Sequence, residues 1–92
     1  MRFRLIRVCK GEAMSAIPQD VVRFDLEASI GPLREAGYEV EDREMMLLAR
    51  HDGVEVTIYI NGRLMISPMA DKEMAKTVSD RIYSILKVEQ DS

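Results

Sequence analysis

Ninety-two residues, with 47% hydrophobic and 32% charged side chains, suffice for one folded domain and exclude both disorder and two independent cores. The formal net charge of −3, with both signs interspersed, disfavours a dedicated nucleic-acid binder, which gains most of its affinity by neutralising phosphates. Two Phe, three Tyr and no Trp leave the core to Val, Ile, Leu and seven Met.

Phe3 to Cys9 (FRLIRVC) reads as a strand, with Phe3 and Leu5 on one face and Ile6 and Val8 on the other. Arg2, Arg4 and Arg7 break the apolar residues too early for a signal peptide or membrane helix. A single cysteine, Cys9, leaves no internal disulfide and points to a reducing compartment, so the expected location is cytoplasmic. Lys10 to Ser15 reads as a connection. Pro18 then suits the first turn of a helix running through Val21, Val22, Leu26 and Ile30. Gly31-Pro32 is expected to interrupt that helix, because the residue before a proline is pushed out of the helical region. A short turn from Leu33 to Ala36 follows, with Gly37 as its glycine cap.

Sheet comes next. Tyr38 to Val40 is a short strand and Met45 to Arg50 a longer one. Asp52-Gly53 is a turn dipeptide, followed by Val54, Val56, Ile58 and Ile60 in strict alternation. Asn61-Gly62 predicts a type I′ hairpin whose return strand carries Leu64 and Ile66. Ser67-Pro68 closes that strand, and Asp71 is the N-cap of a last helix. Met74, Val78, Ile82, Ile85 and Leu86 form its apolar stripe, opposite Lys72, Lys76, Asp80 and Lys87. The expectation is one α+β domain over residues 1–88 with a polar, frayed tail at 89–92. Its order is β-α-β-β-β-β-α, an antiparallel sheet with two helices packed on one face.

The stretch Ile58 to Leu86, IYINGRLMISPMADKEMAKTVSDRIYSIL, resembles one half-repeat of the TATA-box-binding protein family. The shared features are a hairpin with a small-Gly-basic turn, an alternating return strand, a short acidic-capped loop and a long amphipathic helix. The order of elements over the whole chain is similar too. The resemblance implies a half-saddle whose open side carries Thr57 and Tyr59, then Arg63, Met65 and Ser67, then Glu44, Met46 and Leu48 on the neighbouring strand. Tyr59 and Arg63 stand where the family has an aromatic and a basic contact. Glu44 stands in the place of the second kinking aromatic, where a carboxylate repels phosphate and cannot wedge between bases. The family joins two halves in tandem, so a homodimer of this chain would rebuild the saddle.

No catalytic pattern emerges. Cys9 has neither a CxxC partner nor a nearby histidine, and reads as a small hydrophobe rather than a nucleophile or sulfur carrier. His51 lies at a loop tip with no second histidine at ligand spacing. The glycines lack phosphate-loop spacing, and Ser15, Ser29, Thr57 and Ser67 lack a histidine partner. Glu39, Glu41, Asp42 and Glu44 read as a charged strand edge guarded against aggregation, with a hard cation or a basic partner as the alternative. Arg2, Arg4 and Lys10, with Arg7, form the local basic cluster and a candidate anion patch, although alternation sets Arg7 opposite Arg2 and Arg4. Met45, Met46, Met65 and Met69 supply a soft contact surface if they lie on the open face, and core filling otherwise.

These residues favour a non-enzymatic interaction domain without a cofactor. Met46, Leu48, Thr57, Tyr59, Arg63, Met65 and Ser67 on the open face would bind another protein or an identical subunit. The alternative is a nucleic-acid-binding single-half relative of the TATA-box-binding protein family, using Arg63, Tyr59 and the N-terminal arginines. No membrane partner is expected.

Overall fold

Period-two burial through the middle of the chain defines the sheet. In a computed structural model describing residues 1–8 and 12–89, Leu47, Ala49, Val56, Ile58, Leu64 and Ile66 are buried while their strand neighbours are at least partly open. The elements are β1 (Phe3–Val8), β2 (Ala13–Pro18), α1 (Leu26–Glu35), β3 (Glu39–Asp42), β4 (Met46–His51), β5 (Val54–Tyr59), β6 (Leu64–Ser67) and α2 (Lys72–Ile85). Among the described residues six strands form one antiparallel sheet in the order β1-β2-β6-β5-β4-β3. Phe24, Leu26 and Leu33, with Ala75, Ile82, Tyr83 and Leu86, close over the buried face, so both helices cover the same side. The expected α+β class and antiparallel sheet are present. Cys9, Lys10 and the last three residues of the expected tail lie outside the described residues.

The sheet holds one strand more than the sequence indicates. The segment read as a connection is β2, which pairs with β1 through Leu5↔Ala16 and Arg7↔Met14, and with β6 through Ser15↔Met65. Ala-Met-Ser-Ala-Ile-Pro has one β-branched residue, so its propensity is weak; what makes it a strand is the burial of Met14 and Ala16 between two partners. Pro18 therefore ends a strand instead of opening a helix. The helix begins only at Leu26, capped by the Asp25 carboxylate, which accepts from the Ala28 amide at 3.0 Å. Val21, expected in that helix, is fully exposed.

Pro32 does not interrupt α1 but lies inside it. Gly31 permits this, because a residue without Cβ avoids much of the clash that a proline imposes on its predecessor. The helix ends as predicted on Gly37, whose φ is 99°. The Gly37 amide donates to the Arg34 carbonyl at 3.0 Å and the Tyr38 amide to Leu33 at 3.1 Å, the paired bonds of a Schellman cap.

The two hairpin turns differ. Asp52 and Gly53, with φ of 50° and 76°, form the two-residue turn joining β4 to β5. At Asn61-Gly62 the expected type I′ turn gives way to a three-residue loop. The Gly62 amide donates to Tyr59 and the Tyr59 amide to Arg63, both at 2.9 Å, with only Gly62 left-handed. Ile60 is held in this loop because its carbonyl accepts from the Phe24 amide and its side chain packs on the core.

The buried stripe of α2 is turned from the expected one. Met74 is 56% exposed, whereas Ala75, Ser79, Ile82 and Tyr83 are buried. Two small side chains bring the helix close, and the Ser79 hydroxyl is satisfied by the Ala75 carbonyl at 2.8 Å. Beyond α2, the Asp25 amide donates to Lys87 and the Glu89 amide to Arg23, both at 2.8 Å, so Glu89 is tied down rather than frayed.

Candidate functional site

Among the described residues nothing covers the sheet face away from the helices. Strand register places Ile6, Ser15, Met65, Thr57 and Leu48 in one row across β1, β2, β6, β5 and β4, ending on Glu41 of β3. Met46 pairs with Tyr59 in the next row, beside Arg63, and Ser67, Glu55 and Arg50 form the row on the other side. Met46, Leu48, Thr57, Tyr59 and Met65 are all half-buried, although among the described residues no helix lies over them. Ile6, Val8, Ser15, Tyr59, Arg63 and Met65 line a shallow hollow of about 470 Å³ on this face. Ser15 is only 7% exposed there, and its hydroxyl donates to the Leu64 carbonyl at 3.0 Å.

The charges of the face are polarised. Arg4 stands on β1 and Arg2 just before it, while Arg63 just precedes β6. Among the described residues none of these three arginines is ion-paired. The β3 side is acidic and internally bonded. Arg50 holds Glu55 at 2.7 Å and Glu41 at 3.7 Å, and Glu41 also reaches Arg43 at 3.0 Å. Arg7 is on the helix-covered side, donating to the Ala70 carbonyl at 3.2 Å, so the N-terminal basic cluster is divided between faces. Of the anion patch, Arg2 and Arg4 are exposed on one side and Lys10 lies outside the described residues.

Glu44 is not on a strand. It sits in the β3–β4 turn with φ of 66°, its amide accepted by the Asp42 carboxylate at 2.9 Å. The four singled-out methionines also separate: Met46 and Met65 lie on the open face, Met45 is exposed in the turn, and Met69 is buried in the core. Ile6 and Ser15 are the face residues that sequence reasoning missed, because their place depends on β2.

A second hollow, of about 230 Å³, lies on the helix-covered side where α2 passes the β4–β5 hairpin. Tyr38, His51 and Arg81 meet at its rim. Burial pushes the Tyr38 hydroxyl above its usual range, and Arg81 nearby pulls it partway back. Among the described residues no group of three or more His, Cys, Asp or Glu side chains is placed to hold a metal ion. No helix among them is long and apolar enough to cross a membrane. Compared with protein-family models, curated proteins and solved structures, the chain matches none.

Proposed function

We propose that the uncovered sheet face is a protein-interaction surface, non-enzymatic and cofactor-free, and that its occupant is a second copy of this chain. The supporting observation is the pattern of the face itself. An apolar band of Ile6, Met65, Thr57, Leu48, Met46 and Tyr59 runs between a basic margin at β1 and an acidic margin at β3. A two-fold axis lying between two such faces and parallel to the strands sets each β1 over its partner's β3, with Arg4 one residue row from the level of the other copy's Glu41. The face is roughly 25 Å by 17 Å at ordinary strand spacing and rise. Two copies then bury on the order of 1,000 Å², the low end for a specific interface, so a dissociation constant in the micromolar range is expected. Light scattering over a concentration series tests this, with Met65→Asp and Tyr59→Asp expected to give monomers of unchanged circular dichroism. A wild-type chain that stays monomeric at several hundred micromolar overturns it.

A second reading is favoured by one row of the face, where Arg63 stands beside Tyr59 and Arg4 lies at the β1 edge. There the surface would contact nucleic acid, as the half-saddle resemblance implies. The hairpin β5–β6 followed by α2 fits that resemblance, whereas β2 and the turn position of Glu44 depart from it. Fluorescence anisotropy of A·T-rich duplex DNA discriminates the two. Binding that collapses between about 50 and 200 mM salt supports the nucleic-acid reading, because phosphate contacts release counterions.

A further inference from the structure

We infer that the hollow beside α2 binds a small monocarboxylate with an apolar body, such as a short fatty acid or an aromatic acid. Four remote segments build it, Met69 coming from the loop between β6 and α2. Tyr38 arrives from the glycine cap of α1, His51 to Val56 from the β4–β5 hairpin, and Met74 to Arg81 from α2. Val54, Val56, Met69, Met74 and Val78 make the walls. The volume of about 230 Å³ falls below the roughly 300 Å³ at which drug-sized pockets begin, which suits a ligand of about ten non-hydrogen atoms.

Arg81 gives the hollow its charge preference. Its Nη2 donates to the Ala36 carbonyl at 2.9 Å, and its guanidinium carbon lies 5.3 Å from the centre of the Tyr38 ring. Backbone and ring thus fix the group in place. Among the described residues no carboxylate is ion-paired with it. A guanidinium has five N–H donors, so donors remain for an incoming carboxylate. The Tyr38 and His51 rings, 5.2 Å apart and tilted by 54°, flank the same entrance. The carboxylate at the rim, Asp52, is 90% exposed and lies 3.5 Å from His51 Nε2, turned to solvent where its repulsion is screened. A cation held over an apolar hollow selects a ligand with one anionic end and a hydrocarbon remainder.

This site lies on the opposite side of the sheet from the proposed dimer face and does not depend on it. The test is a titration of ¹⁵N-labelled protein with benzoate and octanoate, with benzamide as the neutral isostere, followed by backbone amide shifts and by the ring of His51, the chain's one histidine. Saturable shifts confined to the hairpin and to Met74–Arg81 are expected, with benzamide at least about tenfold weaker than benzoate because it forfeits the charge-assisted bonds. Arg81→Gln should abolish that preference while leaving the spectrum of the remaining chain in place. Absence of saturation up to 10 mM or so, shifts centred elsewhere, or equal affinity for benzamide overturns the inference. The comparison of benzoate with benzamide on the wild-type chain decides the matter even if the variant does not fold.

Discussion

Gly62 shows how much a single missing side chain can matter. Its φ is 89°, and a Cβ built there would lie 2.9 Å from the side chains of Phe24, Pro18 and Val22. Its carbonyl also receives the buried Tyr83 hydroxyl at 2.6 Å. Gly62→Ala should cost roughly 2–4 kcal/mol, adding left-handed strain to overpacking of a closed core. A urea midpoint that falls with an unchanged slope would show it; a loss under about 0.5 kcal/mol would mean the three neighbours yield freely. Tyr83 carries a second consequence. Burial raises its hydroxyl above the unfolded value of about 10, so the native state keeps its proton longer than the unfolded chain does. Its contribution is complete below pH 10 or so and is lost as the pH rises beyond that. Wild type should therefore lose more stability than Tyr83→Phe between about pH 9.5 and 11, measured as denaturant midpoints at each pH. Equal losses would assign alkaline unfolding to other groups.

Elements fold here against local preference in two places, and α1 is the clearer. Pro32 deprives the Ala28 carbonyl of its helical donor, and Gly31 is tolerated ahead of it because it has no Cβ to clash. Pro32→Ala should stabilise the protein by about 1–2 kcal/mol, the helical gain being offset in part by a freer unfolded chain. Gly31→Ala should help by about 0.5–1 kcal/mol only when Pro32 is also replaced, a coupling that a thermal-denaturation double-mutant cycle reads directly. Additive effects would remove proline sterics as the reason for the glycine. These two residues also show why the sequence was only partly legible. Val54 to Ile58, Asp52-Gly53, Gly37 and Asp71 declare themselves through period, turn chemistry and caps, all of which are local. β2 does not, because Met14 and Ala16 become strand residues only through partners distant in the chain. Ala75 and Ser79 carry no apolar signal, yet their smallness decides which side of α2 is buried. The same division applies to the sites. Thr57, Tyr59, Met65, Met46 and Leu48 share a face by alternation alone, whereas Tyr38, His51 and Arg81 meet through three segments that no local pattern connects.

At the scale of the whole molecule, the proposed dimer makes a prediction that its geometry alone supplies. Arg4→Glu places like charges at both ends of a self-pairing interface, and so does Glu41→Lys. Each variant should dimerise about tenfold less tightly than wild type at low salt, and less markedly so when salt screens the margins. An equimolar mixture of the two should recover, because every contact between margins then joins opposite charges. Sedimentation or light scattering of the mixture checks it. Failure to recover would exclude the arrangement with β1 over β3, even if dimerisation itself stands.

Strand parity has one more consequence. With six antiparallel strands, the two outermost, β1 and β3, run in opposite directions. Simple translation of the molecule sideways would therefore continue the antiparallel order from one sheet into the next without limit, a ribbon with no closing operation. An odd count would set like-directed borders together and break that alternation at each junction. What stands against the ribbon is the β3 border. Only four residues long and bearing Glu39, Glu41 and Asp42, β3 offers few amides to a newcomer and surrounds them with charge. The carboxylates there thus act as a stop codon for sheet growth.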